Sequence, residues 1–128
     1  MTSRNALIAF SVATSLYVHI AAASDGDPSN GANIFTAQCS ICHSLKEGKH
    51  KIGPSLAGVI GRPAGHAANY SYSDALKNSG VTWNLETLNT YLSNPTAMIP
   101  GCKMPYQGLV DEKLRLDLIA YLSVQAGK

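Results

Sequence analysis

The stretch "CSICH", Cys39 to His43, decides how the rest of the chain is read. Its cysteines are three residues apart, and His43 follows Cys39 by four. On a helical turn residues at those spacings share a face, so two thiols and an imidazole can address one flat ring together.

C-x-x-C-H is the pattern by which c-type haem is attached. Cys39 and Cys42 can add to the two vinyl groups as thioethers while His43 reaches the iron. Other uses of these residue types fit less well. A zinc site needs four ligands, and His50 and His66 lack zinc-finger spacing from the pair. A thioredoxin-like redox pair follows a strand in a βαβ pattern, whereas a helical pattern precedes Cys39. A structural disulfide needs no histidine at the next position.

The 128 residues, 45% of them hydrophobic and with a formal net charge of +2, fit one globular domain. Nothing in that balance points to nucleic acid. Residues 1–23 carry a lone Arg4, then the apolar run "ALIAFSVATSLYV", then "AAAS", where Ala21 and Ala23 satisfy the small-residue rule for signal cleavage. The reading is a signal peptide over 1–23 and a domain over 24–128. The alternative is an uncleaved anchor at the lower limit of length for a bilayer span. A mitochondrial presequence, usually rich in Arg, fits poorly. Export places the chain in the periplasm, or anchored to the periplasmic face of the inner membrane. That compartment is oxidising, and an exposed cysteine pair there forms a disulfide unless other chemistry claims it.

Outward from the motif, "NGANIFTAQCSICH" reads as a helix starting at Asn30. From Ser44 to Tyr72 the pattern dissolves into Gly and Pro, a loop long enough to imply something to wrap around. A short helix is expected at Ser73 to Asn78. A longer one spans Leu85 to Leu92, capped by Asn84 and stopped at Asn94-Pro95. The last helix follows Asp111, with Leu114, Leu118, Tyr121 and Leu122 along one stripe. "NYS" at Asn69 matches a glycosylation sequon and is read as chance. The expected class is all-α with extended loops.

With these segments in place, the chain resembles the class I monohaem cytochromes c, the mitochondrial cytochrome c and bacterial cytochrome c2 type, from about Asp27 to Gln125. The resemblance is carried by "CSICH", "GKHKIGPSLAGVIGR", "YSYSDALKNSGVTW", "YLSNP", "IPGCKMP" and "LIAYL", in family order and at nearly family spacing. It implies a small cytochrome c fold, three to five helices and long loops around one covalent haem c. It also implies a one-electron carrier rather than an enzyme. The implied partners are a bc1-type quinol-oxidising complex as donor and an oxidase, reductase or photosynthetic reaction centre as acceptor, with the carrier a monomer. The alternative is a haem peroxidase or gas sensor if Met104 is displaced, but no distal acid–base pair is evident.

By the same resemblance, Met104 is the second axial ligand beside His43, and a neutral thioether raises the potential. Met98 is more readily packing, and Cys102 a less favoured ligand. Pro54 offers its carbonyl to His43, Arg62, Tyr72 and Trp83 hold the propionates, and Tyr91 lies near the methionine sulfur. Gly31, Phe35, Leu118 and Tyr121 mark the crossing of the first and last helices. A lysine ring of the mitochondrial relatives is replaced by Asn33, Gln38, Thr96, Ala97, Val110 and Asp111, leaving mainly Lys51 and Lys103, so electrostatic steering should be weak.

Two inner positions also depart from the family: Cys102 stands where Thr is usual and Leu76 where mitochondrial proteins usually have Asn. A weak thiol and an alkyl group make the distal side drier and less hydrogen-bonded, which favours the uncharged ferrous centre. Cys102→Thr and Leu76→Asn should therefore each lower the midpoint in an equilibrium redox titration. Unchanged or raised midpoints refute this.

Overall fold

The structure, a computed structural model, describes residues 25–125. The signal-or-anchor reading of residues 1–23 lies outside them. Helix α1, Pro28–Ile34, begins two residues before the expected Asn30. Asp27 is the cap instead, its carboxylate accepting the Ser29 N–H at 2.8 Å, and Pro28 sits at the first turn, where a missing donor is harmless. Asn30 is drawn away to a tertiary partner, its Nδ2 donating to Asp117 at 2.7 Å.

Beyond Ile34 the helix widens into a π-helical turn, Phe35–Cys39, with the Ser40 N–H reaching the Phe35 carbonyl at 2.9 Å. Such widened turns are frequent at functional sites. Between Ser44 and Ser73 the chain forms no helix or strand, only an isolated antiparallel bridge from Pro63 to Thr82. Side chains organise this loop. His50 accepts the Ser55 N–H at Nδ1 (3.0 Å) and meets the Ala68 carbonyl from Nε2 (2.8 Å), closing the loop on itself.

Helix α2, Asp74–Lys77, is capped by Ser73, and α3, Leu85–Ser93, by a reciprocal capping box between Asn84 and Thr87. The proline that ends α3 opens α4, Pro95–Met98, a turn the sequence reading did not anticipate. Asn94 Oδ1 caps it by accepting the Ala97 N–H at 3.1 Å. Helix α5, Glu112–Gln125, follows Asp111, whose carboxylate accepts the Leu114 N–H at 3.2 Å. Five α-helices with long connections, and no strand among the described residues, make the all-α class.

The core forms where α1 and α3 each pack against α5, around Ile34, Phe35, Leu88, Leu92, Leu118, Ile119 and Leu122. At the α1–α5 crossing a Cβ on Gly31 would lie 2.0 Å from the Asp117 carbonyl oxygen, so only glycine permits this approach. Phe35 and Tyr121 pack one turn away, ring centroids 5.7 Å apart. The fully buried Asp117 carboxylate accepts from Asn30 Nδ2, the Asp27 N–H (2.7 Å) and Lys113 Nζ (2.9 Å).

Those donors, the Asn30 amide foremost and then the Asp27 N–H and Lys113, hold the Asp117 carboxyl down at about 2. A carboxylate depressed in the folded state contributes stability above its unfolded pKa near 3.8, and that contribution is lost as pH falls towards 2. The Asp117→Asn variant should melt roughly 5–10 °C lower at pH 7 and lose less further stability than the parent between pH 4 and 2. Thermal unfolding followed by circular dichroism across that range checks both.

Candidate haem-binding site

The turn after the π-helix delivers the C-x-x-C-H residues. The N–H groups of Cys42 and His43 both donate to the Cys39 carbonyl, at 3.1 and 2.9 Å, which keeps the two thiols and the imidazole on one tight turn. Cys39 and Cys42 are free and half-buried. Burial foremost, and then neighbouring Cys42, pushes the Cys39 thiol up to about 11, so it carries its proton at neutral pH.

His43 Nδ1 meets the Pro54 carbonyl at 2.8 Å. A carbonyl only accepts, so Nδ1 bears the proton and Nε2 keeps its lone pair. Burial, outweighing that hydrogen bond, and then Lys51 hold the imidazole pKa below its usual value, so it is neutral and able to ligate at pH 7. The sequence reading singled out Pro54 but missed the residue before it. A Cβ on Gly53 would stand 2.4 Å from His43 Cε1, so the imidazole lies flat against this bare backbone. The Gly-Pro pair that carries the accepting carbonyl was the available signal.

On the distal side the Tyr91 hydroxyl donates to Met104 Sδ at 3.7 Å. Burial, with Cys102 as the next cause, raises the Tyr91 phenol far above its ordinary range, so it remains a donor. Tyr91 packs against Trp83 with the rings tilted and centroids 4.8 Å apart, and Trp83 is bonded through its backbone to Arg62 (N–H to carbonyl, 3.0 Å). The Arg62 guanidinium is itself aimed by the Ala57 and Ser55 carbonyls, at 3.0 and 2.9 Å. Tyr72 accepts the Ala67 N–H at 3.3 Å, and burial raises its phenol. Met98 and Cys102 are partly buried and pack against the core.

Two features of sequence reach across the site unforeseen. Tyr106 bonds Gln38 at 2.6 Å, and Arg115 gathers the Leu109 and Val110 carbonyls, each at 2.7 Å, with Asn89. Gln38 had registered only as an absent lysine.

The donors fit a large flat group better than a single ion. Among the described residues no three His, Cys, Asp or Glu side chains converge tightly enough to hold a metal by themselves. Two free thiols, an oriented imidazole and a thioether beneath a hydroxyl are instead the set a doubly tethered macrocycle needs. His50 and His66, whose ring nitrogens face the Ala68 and Ala64 carbonyls, are absorbed in the loop.

Residues 28–125 match the family model described as cytochrome c. A cytochrome c of Cochliobolus lunatus is 51% identical over 98 residues, covering 76% of this chain and 91% of the relative. One from Arabidopsis thaliana is 50% identical over 98 residues, 76% and 88% of the two chains. A cytochrome c2 of Rhodomicrobium vannielii is 45% identical over 104 residues, 80% and 82%.

Gly53→Ala should tilt or displace the imidazole, since the methyl group meets ring atoms at 2.4 to 2.9 Å. We expect the covalently loaded protein to form in several-fold lower yield, or to show an altered axial spectrum. Pyridine haemochrome quantitation beside the visible spectrum measures this, and a parent-like yield and spectrum count against the packing role.

Proposed function

The chain belongs to the cytochrome c family, electron-transfer proteins with one covalent haem c, and from that premise we propose a carrier in which His43 and Met104 would ligate the iron. When bound, the haem supplies an iron that gains or loses one electron. Cys39 and Cys42, both free thiols, would hold it covalently as thioethers to its two vinyl groups. Pro54 orients His43 and keeps its Nδ1 protonated. Tyr91 donates to the Met104 sulfur, drawing a little electron density from an already weak donor. Arg62, Tyr72 and Trp83 supply the donors and the permanent cation that buried propionates require. The observation that carries the reading is the half-buried Met104 sulfur held under the Tyr91 hydroxyl, a soft neutral donor that supports ligation by a thioether.

The proposed partners are a bc1-type donor and an oxidase, reductase or reaction-centre acceptor, met at the face beside the cysteine turn. There the Gly53 N–H bonds the Cys42 carbonyl at 2.8 Å, which ties the chain after Ile52 to the cysteine turn, and Ile52 and Ile41 are 74% and 80% exposed. Lys51 turns its ammonium group to the Ser40 carbonyl. Two isoleucines offer far less than the ~800 Å² per partner of a stable pairing, which suits a monomer making transient contacts with an apolar patch on a membrane complex. Residues 1–23 support placing the carrier in the periplasm.

Ferric holoprotein should show the methionine-to-iron charge-transfer band. Met104→Ala should abolish it and lower the midpoint by at least roughly 0.1 V, within the ~0.8 V that axial ligation spans. Electron-transfer rates with bc1-type membranes should change less than about threefold on adding physiological salt, against losses of tenfold or more for steered pairs. A parent without the band overturns the ligation, and a steep salt dependence overturns the apolar docking.

A further inference from the structure

Among the described residues the backbone from Lys103 to Gly108 makes no backbone–backbone hydrogen bond, although this segment carries Met104. Its two ends are firm. The Cys102 N–H closes a turn on the Ile99 carbonyl at 3.1 Å, and the Leu109 N–H bonds the Leu92 carbonyl at 2.8 Å. Between them only side chains hold the segment: Lys103 on the Ser71 carbonyl, Met104 under Tyr91, and Tyr106 on Gln38. The last of these is the one hydrogen bond from the segment to the helix that leads into Cys39 and Cys42.

We propose that Tyr106 and Gln38 form a clasp that keeps the Met104 segment closed against the cysteine-bearing helix, resisting displacement of Met104 by an outside ligand. Both are positioning residues, and the inference rests on Met104 being the axial ligand. The Tyr106 ring packs against the core while its hydroxyl reaches Gln38 Oε1 at 2.6 Å, so packing and hydrogen bonding can be separated by removing one oxygen. Displacement requires the segment to swing outward, because Met104 cannot leave while both ends and its middle are pinned. The ends stay fixed by backbone bonds, and of the three side-chain ties only the clasp joins the segment to the cysteine-bearing helix, so the clasp is the tie that opens there. In the exchange the methionine sulfur gives up one coordination bond, the incoming nitrogen forms another, and no electron is transferred.

Imidazole titration of the ferric holoprotein, following loss of the methionine charge-transfer band, reads this directly. Tyr106→Phe should bind imidazole about three- to fivefold more tightly than the parent, the worth of one partly exposed hydrogen bond. Gln38→Met, a surface change of similar volume, should do the same, and the double variant should match either single one because the two remove one interaction. Gln38→Glu keeps an acceptor and should retain parent-like resistance. Parent-like affinity in both single variants, or additive effects in the double, overturns the clasp. A parent lacking the band overturns the Met104 ligation and the clasp with it, whereas a band without coupling overturns the clasp alone.

Discussion

At the crossing of α1 and α5, Gly31 lies so near the Asp117 carbonyl that a methyl group there would stand 2.0 Å from the oxygen. Forcing that group in costs about 1–3 kcal/mol even when neighbours relax. The same α5 residue turns its side chain back to the Asp27 N–H and to Asn30, so one position of α5 holds both the face and the beginning of α1. A helix pinned at its start and along one side delivers its far end to a defined place. That end is the π-turn and the C-x-x-C-H stretch, after which the Pro54 carbonyl and the Gly53 backbone need only orient a single ring.

The opposite side is built on another principle. Arg115, on the same α5, collects the Leu109 and Val110 carbonyls, and α4 leads into the turn that ends at Cys102, so the frame around Met104 is rigid. Within the frame the backbone is unpaired and side chains do the holding. Segments held this way open at lower free energy than the helices they span. The histidine is thus fixed through backbone and packing, and the methionine through side-chain contacts.

Two inner side chains and several outer ones give the molecule apolar surface. Leu76 and Cys102 pack against the core where the family commonly places hydrogen-bonding groups. Outside, Ile41, Ile52 and Val110 are 80%, 74% and 89% exposed, and Val110 stands where mitochondrial relatives carry a lysine. The inner and outer side chains are physically separate.

Much of this was legible in the chain itself. The C-x-x-C-H spacing, the caps at Asn84 and Asp111, and the stop at Pro95 are relations within about four residues, set by helix geometry and local hydrogen bonds. The resemblance extended that to the long-range roles it names, such as Pro54 and Tyr91. Tertiary structure alone decided what neither could supply. Asn30 caps no helix because Asp117, 87 residues away, claims its amide, and Asp27 takes the cap. Gly53 matters because a ring ten residues earlier lies on it, and Gln38 because Tyr106, 68 residues further on, reaches it. Local spacing dictates what a turn can present, but which groups meet across the fold depends on the path of the whole chain around its core.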